Sequence, residues 1–327
     1  MEDTQETEVK KAPNIKRANP VLKEGGAIYE RMMATFLDVH TNAPKDIDFL
    51  HSVLCQVGVP RSSLTVPVYD EHGHKIGKQD VREWQRKSGD VSVMLKAGEL
   101  YDGEKFVPMP MPYGPIPRLI LIYVIGEAVR KRTRIVDVGN SLRSFIHRLG
   151  LSDNGAMYRK FRRQAGALAA CTMVLGMRSN GTVVTVKTAP IERFSIWGAG
   201  SRKNAEWDGQ IVLSEQFYET LIEHAVPLDT RALSALQDSA LALDIYCWLA
   251  YRLYQIQAPE GKFIPWRTLK VQFGDEYNDT KNFKKRFLKA FRRALGVYKD
   301  AKVSIIKGGI CIYPSPPPIS RSQMKLF

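Results

Sequence analysis

Cysteine is scarce and unpaired in this sequence. Cys55, Cys171, Cys247 and Cys311 are scattered, with no C-x-x-C pair. That argues against a structural zinc site or a disulfide framework. Three of the four sit among apolar neighbours, as small buried thiols do in a reducing cytoplasm. Long apolar runs are missing too. The longest, Leu119–Gly126, is about a third of a bilayer span, and no signal peptide is visible in the polar, acidic start, so no membrane partner is expected. No phosphate-cradling loop is present: neither Gly73–Lys78 nor Gly176–Thr182 matches G-x-x-x-x-G-K-[ST]. The six histidines are dispersed, so spacing suggests no nucleophile–base pair. No cofactor, metal or catalytic residue is therefore expected.

What the chain has is positive charge, unevenly placed. The formal net charge is +14 over 327 residues. Residues 1–109 carry 15 Lys/Arg against 17 Asp/Glu, whereas residues 110–327 carry 33 against 17. A basic field concentrated in the last two thirds attracts polyanions, and nucleic acid is the favoured candidate. With 44% hydrophobic residues most of the length can build a core. The exception is Met1–Pro20, which offers little beyond Val9 and Ile15 to bury and reads as a disordered tail, with residues 1–24 as its domain.

Three breaks organise the rest. Pro108, Pro110, Pro112, Pro115 and Pro117 form a cluster unsuited to helix or central strand. The polar loop Gly198–Gly209 is the second, and Ala225–Asp229 the third. Upstream of the prolines, residues 25–112 read as a helical stretch near Ile47–Gln56 and a hairpin of Val91–Leu95 with Glu99–Val107.

Downstream, one order of elements occurs twice. In residues 113–224 an apolar helix, Arg118–Arg130, precedes a strand at Ile135–Val138 and a helix starting at Asn140 or Ser141. After a turn at Gly150–Gly155 comes an arginine-rich helix, Ala156–Met173, capped by Ser152, Asp153 or Asn154. Met173–Met177 and Val183–Lys187 then alternate around Ser179-Asn180-Gly181, a hairpin signal. In residues 225–318 the same order is Leu241–Tyr254, Trp266–Phe273, a turn at Gly274–Asn278, a basic helix capped by Asp279 or Thr280, and a hairpin around Gly308-Gly309. Residues 319–327 are a short tail. The fold class expected is α+β: tandem winged-helix-like units, each a helix-turn-helix with a hairpin wing, behind an N-terminal extension.

The helix from Thr280 to Leu295 carries the most information. Phe283, Phe287, Phe291 and Ala294 fall within roughly 80° of the wheel, while Lys285, Arg286, Lys289, Arg292 and Arg293 occupy the other side over roughly 120°. No acid interrupts it. A solvated helix would gain about 0.3–0.5 kcal/mol per i,i+4 Glu–Lys pair, whereas here Lys285/Lys289 and Lys289/Arg293 repel. An anion that neutralises them explains the pattern. The earlier helix is similar, with Arg159, Lys160, Arg162 and Arg163 unbalanced. Since the N-terminal residues of a recognition helix meet the bases, Met157, Arg159 and Lys160 are nominated in the first unit. Thr280, Lys281, Asn282 and Lys285 are nominated in the second, with Asn282 suited to adenine.

Several stretches give the chain a family likeness: Met111-Pro-Tyr-Gly-Pro-Ile-Pro-Arg-Leu-Ile-Leu121, Ala242-Leu-Asp-Ile-Tyr-Cys-Trp-Leu249 within Ala232–Arg252, and Phe283-Lys-Lys-Arg-Phe-Leu288. Phe49–Leu54 and Tyr313–Pro317 add to it. On these the chain resembles the plasmid-encoded RepA family of replication initiators. The resemblance implies binding to double-stranded origin repeats in a bacterial cytoplasm and recruitment of host initiator and helicase-loading proteins. It also implies repression of the protein's own promoter. A homodimer is carried as analogy. A tandem winged-helix repressor would use the same contacts. An initiator that nicks DNA would need His-hydrophobic-His, whereas His72-Gly73-His74 has glycine in the middle and sits in a polar turn.

Overall fold

The computed structural model describes residues 26–179, 181–194, 209–274 and 276–324. The expected tail 1–24 and nearly all of the loop Gly198–Gly209 lie outside the described residues, as do Asn180, Asp275 and the last three positions.

Among the described residues helix α1 (Ala27–Thr41) comes first, followed by strand β1 (Ile47–His51) and α2 (Ser52–Val57). The helix expected near Ile47–Gln56 is thus half strand. Its first half is drawn out by pairing with a distant segment, β13 below, and tertiary pairing overrides local propensity. The His51 side chain then caps α2, Nδ1 accepting from Val53 N at 3.1 Å. Two strands, β2 (Thr65–Tyr69) and β3 (Lys75–Asp80), form an exposed ribbon with His72 and His74 in its turn.

Strands β4 (Glu83–Ser88) and β5 (Val91–Lys96) come next, then a small hairpin of β6 (Glu99–Tyr101) and β7 (Phe106–Pro108). The expected pairing of Val91–Leu95 with Glu99–Val107 does not form. The Asp102 carboxylate accepts from the amides of Glu104 and Lys105, closing the second strand on itself. This leaves β5 to pair with β4.

Helix α3 (Pro115–Lys131) is apolar all round and mostly buried, the mark of a core helix. Pro115 and Pro117, expected to exclude helix, occupy its first turn, where the missing N–H has no intrahelical role. The first unit continues with β8 (Ile135–Asp137), α4 (Leu142–Arg148), α5 (Gly155–Ala170), and the hairpin β9 (Thr172–Ser179) with β10 (Thr182–Thr188). Then β11 (Ile191–Phe194), β12 (Gln210–Leu213) and α6 (Glu215–His224) follow. Ala225–Asp229, expected as a break, is strand β13, antiparallel to β1 with Ile47 opposite Asp229. Helices α7 (Thr230–Leu236) and α8 (Ala240–Arg252) lead to β14 (Lys262–Pro265), α9 (Trp266–Phe273), α10 (Thr280–Gly296) and the hairpin β15 (Val303–Ile306) with β16 (Gly309–Ile312). A short α11 (Arg321–Met324) ends the described chain.

The two units share an order but not a sheet plan. In the second, β14 joins its own hairpin in the order β14-β16-β15. In the first, β9 and β10 join the N-terminal strands in the order β10-β9-β5-β4, while β8 goes to a separate sheet with β12 and β11. Residues 25–112 are therefore built into the body of the protein.

A buried ion pair joins the units. Arg118 of α3 forks onto Asp244 of α8, Nε to Oδ1 at 2.6 Å and Nη2 to Oδ2 at 2.8 Å. Its remaining hydrogens go to the carbonyls of Pro60 and Gly114 through Nη1 and of Val59 through Nη2. All five guanidinium donors are satisfied. Gly58 is required beside it: its φ is +69°, and a Cβ there would lie 2.9 Å from Asp244 Oδ1.

Asp244→Asn leaves Arg118 charged and buried without its counter-ion, so urea unfolding should show a loss of about 3–5 kcal/mol. A second expectation concerns His51, whose pKa falls to about 4, first because of burial and then because of neighbouring His224. The unfolded chain binds a proton near pH 6.5, so stability is full above that pH and falls on acidification toward pH 4. The slope should reach about 1.4 kcal/mol per pH unit, and in His51→Asn, which keeps a capping side chain, it should be visibly shallower.

Candidate nucleic-acid interface

Each candidate helix is the last helix of a helix–turn–helix, and each is launched by a cap. In the first unit Ser141 Oγ accepts from Ser144 N to start α4, and Asn154 Oδ1 accepts from Met157 N to start α5. Phe161, Ala165 and Leu168 hold α5 to the core, and Phe145 and Phe161 meet edge-on at 5.5 Å. Arg159, Lys160, Arg162 and Arg163 are all exposed. Met157 is half-buried and packs on the core, which limits its reach. The helix ends at Ala170 instead of Met173, because Thr172 and Met173 enter β9.

Basic residues on α4 escaped the sequence reading. Arg143, His147 and Arg148 are exposed there, and Leu142–Arg148 contains no acid, a signal the sequence did offer. Asp153, just before α5, collects Arg143 at 2.7 Å, His147 Nε2 at 3.2 Å and the Tyr158 hydroxyl at 2.8 Å. The hydrogen bond from Tyr158, reinforced by His147 and Arg143, holds its carboxyl below the usual range.

In the second unit Asp279 is the cap, accepting from Asn282 N at 2.6 Å. That bond uses the backbone and leaves the Asn282 side chain exposed. Thr280, Lys281, Lys285, Arg286 and Lys289 are exposed beside it, and Arg292 is half-buried. Phe283, Phe287 and Phe291 are fully buried, with successive ring centroids 5.5 and 5.4 Å apart. Gly274 makes the tight turn before α10 feasible: a Cβ there would fall 2.4 Å from the Phe283 ring. Lys284 lies over the Trp266 ring at 5.0 Å, and Arg267 on α9 is exposed, both missed by the wheel.

Arg293 is a correction. It is buried, Nη2 and Nη1 binding Asp238 at 2.6 and 3.0 Å, with Nη2 also on the Ala235 carbonyl. Burial opposes ionisation of Asp238, but the Arg293 hydrogen bonds outweigh it and keep the carboxyl low. A helical wheel assumes one environment along the helix. Here the end of α10 is covered by α7, so the side that is open at Lys285 is closed at Arg293.

The other chemistry-bearing groups do not gather. His72 and His74 are exposed, their amides held by Asp70 Oδ1 at 2.9 and 2.8 Å. Among the described residues no three His, Cys, Asp or Glu side chains are placed to hold a metal ion. The four thiols are buried, and burial pushes Cys171 up to about 12. No described helix is long and apolar enough to cross a membrane.

Residues 111–267 match the family profile described as "Plasmid encoded RepA protein". Over these residues the chain is similar to the plasmid-encoded RepA family of replication initiators. The match runs from the start of the Met111–Leu121 stretch through α5 and stops inside α9, so α10 lies beyond it. Two crystal structures show a distant similarity to this chain. One, of RctB domains 2-3 (RctB-155-483), has 9% identity and a TM-score of 0.45, over 79% of this chain and 94% of that one. The other, of domains 2 and 3 of RctB as a selenomethionine derivative, has 11% identity and a TM-score of 0.44, over 72% and 91%. No curated protein matches the sequence.

The two environments on α10 separate buried, stabilising charge from exposed charge. Arg293→Gln should lower the unfolding free energy by about 1–3 kcal/mol, reduced because Asp238 is partly exposed. Lys289→Gln should change it by less than about 0.5 kcal/mol. Equal losses in chemical denaturation would show that the wheel, not the packing, describes this helix.

Proposed function

We propose that this replication initiator binds duplex DNA at repeated origin sequences through two winged-helix readers, α5 and α10, and does not cut it. The observation that carries the reading is the acid-free, exposed basic face on both helices, in the same slot of both units. Lysine and arginine there neutralise phosphates, and those at the helix start are placed for base edges. The hairpins support it as wings: Arg178 and Lys187 are exposed on the first, and Lys302 and Lys307 are exposed at the two ends of β15 in the second. The adjoining sheets differ, so the wing of the first unit is braced by the N-terminal strands. Recruitment of host initiator and helicase-loading proteins, and repression of the protein's own promoter, follow from the family.

Replacing Lys285, Lys289 and Arg292 together by glutamine should weaken DNA binding and flatten its salt dependence, by about 0.9 log units of slope for each phosphate left without its cation. Replacing Arg159, Lys160 and Arg163 should do the same to a smaller degree. Asn282→Ala should shift sequence preference while nonspecific affinity stays nearly constant. Filter binding or fluorescence anisotropy across a salt series reads all three. An unchanged slope in the α10 triple variant would remove that helix as a reader. A covalent protein–DNA adduct formed with divalent metal would overturn the non-cutting part. Restored replication of a plasmid lacking its initiator gene separates initiator from plain repressor.

A further inference from the structure

We propose that Arg61 and Glu276 are positioning residues whose ion pair sets the orientation of α10 relative to α5. The inference rests on the two-reader function above. Glu276 lies in the turn between α9 and α10, three residues before the cap Asp279. Its carboxylate is gripped by a guanidinium fork, Arg61 Nε to Oε1 at 2.7 Å and Nη2 to Oε2 at 2.9 Å. Arg86 approaches the same oxygen Oε2 to 3.9 Å. The side chains of Arg61 and Arg86 are each only 5% exposed, so both grip from within the protein.

Neither arginine belongs to the second unit. Arg61 sits in the segment between α2 and β2, and its Nη1 reaches Asp244 Oδ2 at 3.2 Å, the same carboxylate that Arg118 holds from α3. Arg86 is on β4. Strands β4, β5 and β9 are neighbours in one sheet, and β9 begins two residues after α5 ends. A further tie runs from Gln272 Nε2 on α9 to the Gln56 carbonyl of α2 at 2.8 Å. The physical path from one reader to the other therefore passes through the N-terminal strands and a charge relay, Arg118–Asp244–Arg61–Glu276.

The chemistry suits that task. Apolar packing tolerates sliding, whereas a two-point guanidinium–carboxylate fork fixes direction as well as distance. Glu276 is also misplaced for any outward role, since an acid beside a helix that meets phosphates would repel them. Gripped by Arg61 at the surface, with Arg86 alongside, it serves as the anchor of the turn that aims α10.

The test uses the full chain with Ala156→Cys on α5 and Lys284→Cys on α10, both exposed positions. The four native thiols are buried, so spin labels go to the introduced ones. Electron–electron distance measurements should give one narrow distribution with Glu276 intact. Glu276→Gln should broaden it, and Glu276→Lys should broaden or shift it further. Circular dichroism and a single unfolding transition confirm that each variant is folded. The DNA probes are mixed-sequence duplexes of about 30 bp and about 12 bp, the shorter holding one unit only. Glu276→Gln should lose about five-fold or more in affinity on the longer duplex and stay within about two-fold on the shorter. Unchanged distance distributions in both Glu276 variants overturn the proposal, as does an equal affinity loss on both duplexes. If the protein with Glu276 intact binds both duplexes with equal affinity and salt slope, the two-reader function fails instead, whatever the distances show.

Discussion

The Arg118–Asp244 pair is the constraint around which this structure is arranged. Neither charge can be buried alone, since an unpaired ion in the interior costs several kcal/mol. Each therefore dictates its surroundings. Arg118 has more donors than one carboxylate can satisfy, so the chain brings three carbonyls, from Val59, Pro60 and Gly114, to the same spot. Gly58 must be glycine for the backbone to come that close. Asp244 has acceptor capacity left over and takes Arg61. A segment remote from both core helices is thereby fixed in place, and with it the link to the second helix-turn-helix. The two stretches with the clearest family likeness, Met111–Leu121 and Ala242–Leu249, meet at this point.

The same economy of acid shapes the surface. Carboxylates that could have balanced the basic helices are taken up by buried arginines instead: Asp244 by Arg118, Asp238 by Arg293, Glu276 by Arg61. Asp153 is the nearest acid to α5 in sequence and is itself surrounded by Arg143, His147 and Tyr158. These ion pairs thus neutralise negative charge while using few of the exposed lysines. Positive potential on α5 and α10 is a consequence of where the acids fold, as much as of how many bases the sequence has.

Local signals in the sequence located most of the elements. Amphipathic spacing found α5 and α10, turn chemistry found both hairpins, and the caps expected near Asn154 and Asp279 form there. Two of the misses share an origin, which is pairing over long sequence distances. Nothing in Ile47–His51 announces a partner at Ala225–Asp229, and β5 has a partner on each side, one of them β9, some 80 residues away. Arg293 shows the same limit at the site. Its helical phase matches the exposed lysines, and only the position of α7 distinguishes it. By contrast, the α4 bases were legible, since Leu142–Arg148 lacks acid just as α5 does.

The unequal sheets of the two units bear on how such a protein works. In the second unit β14, β15 and β16 form their own sheet, so its helix-turn-helix and hairpin can hold together with local support. In the first unit the hairpin depends on β4 and β5, so its wing is only as well ordered as the N-terminal region. Any change that disturbs residues 47–96 acts on the surroundings of α5 through that shared sheet, and on those of α10 through Arg61 and Arg86. The N-terminal region lacks the basic charge to read DNA itself. Its placement ties it to both basic helices.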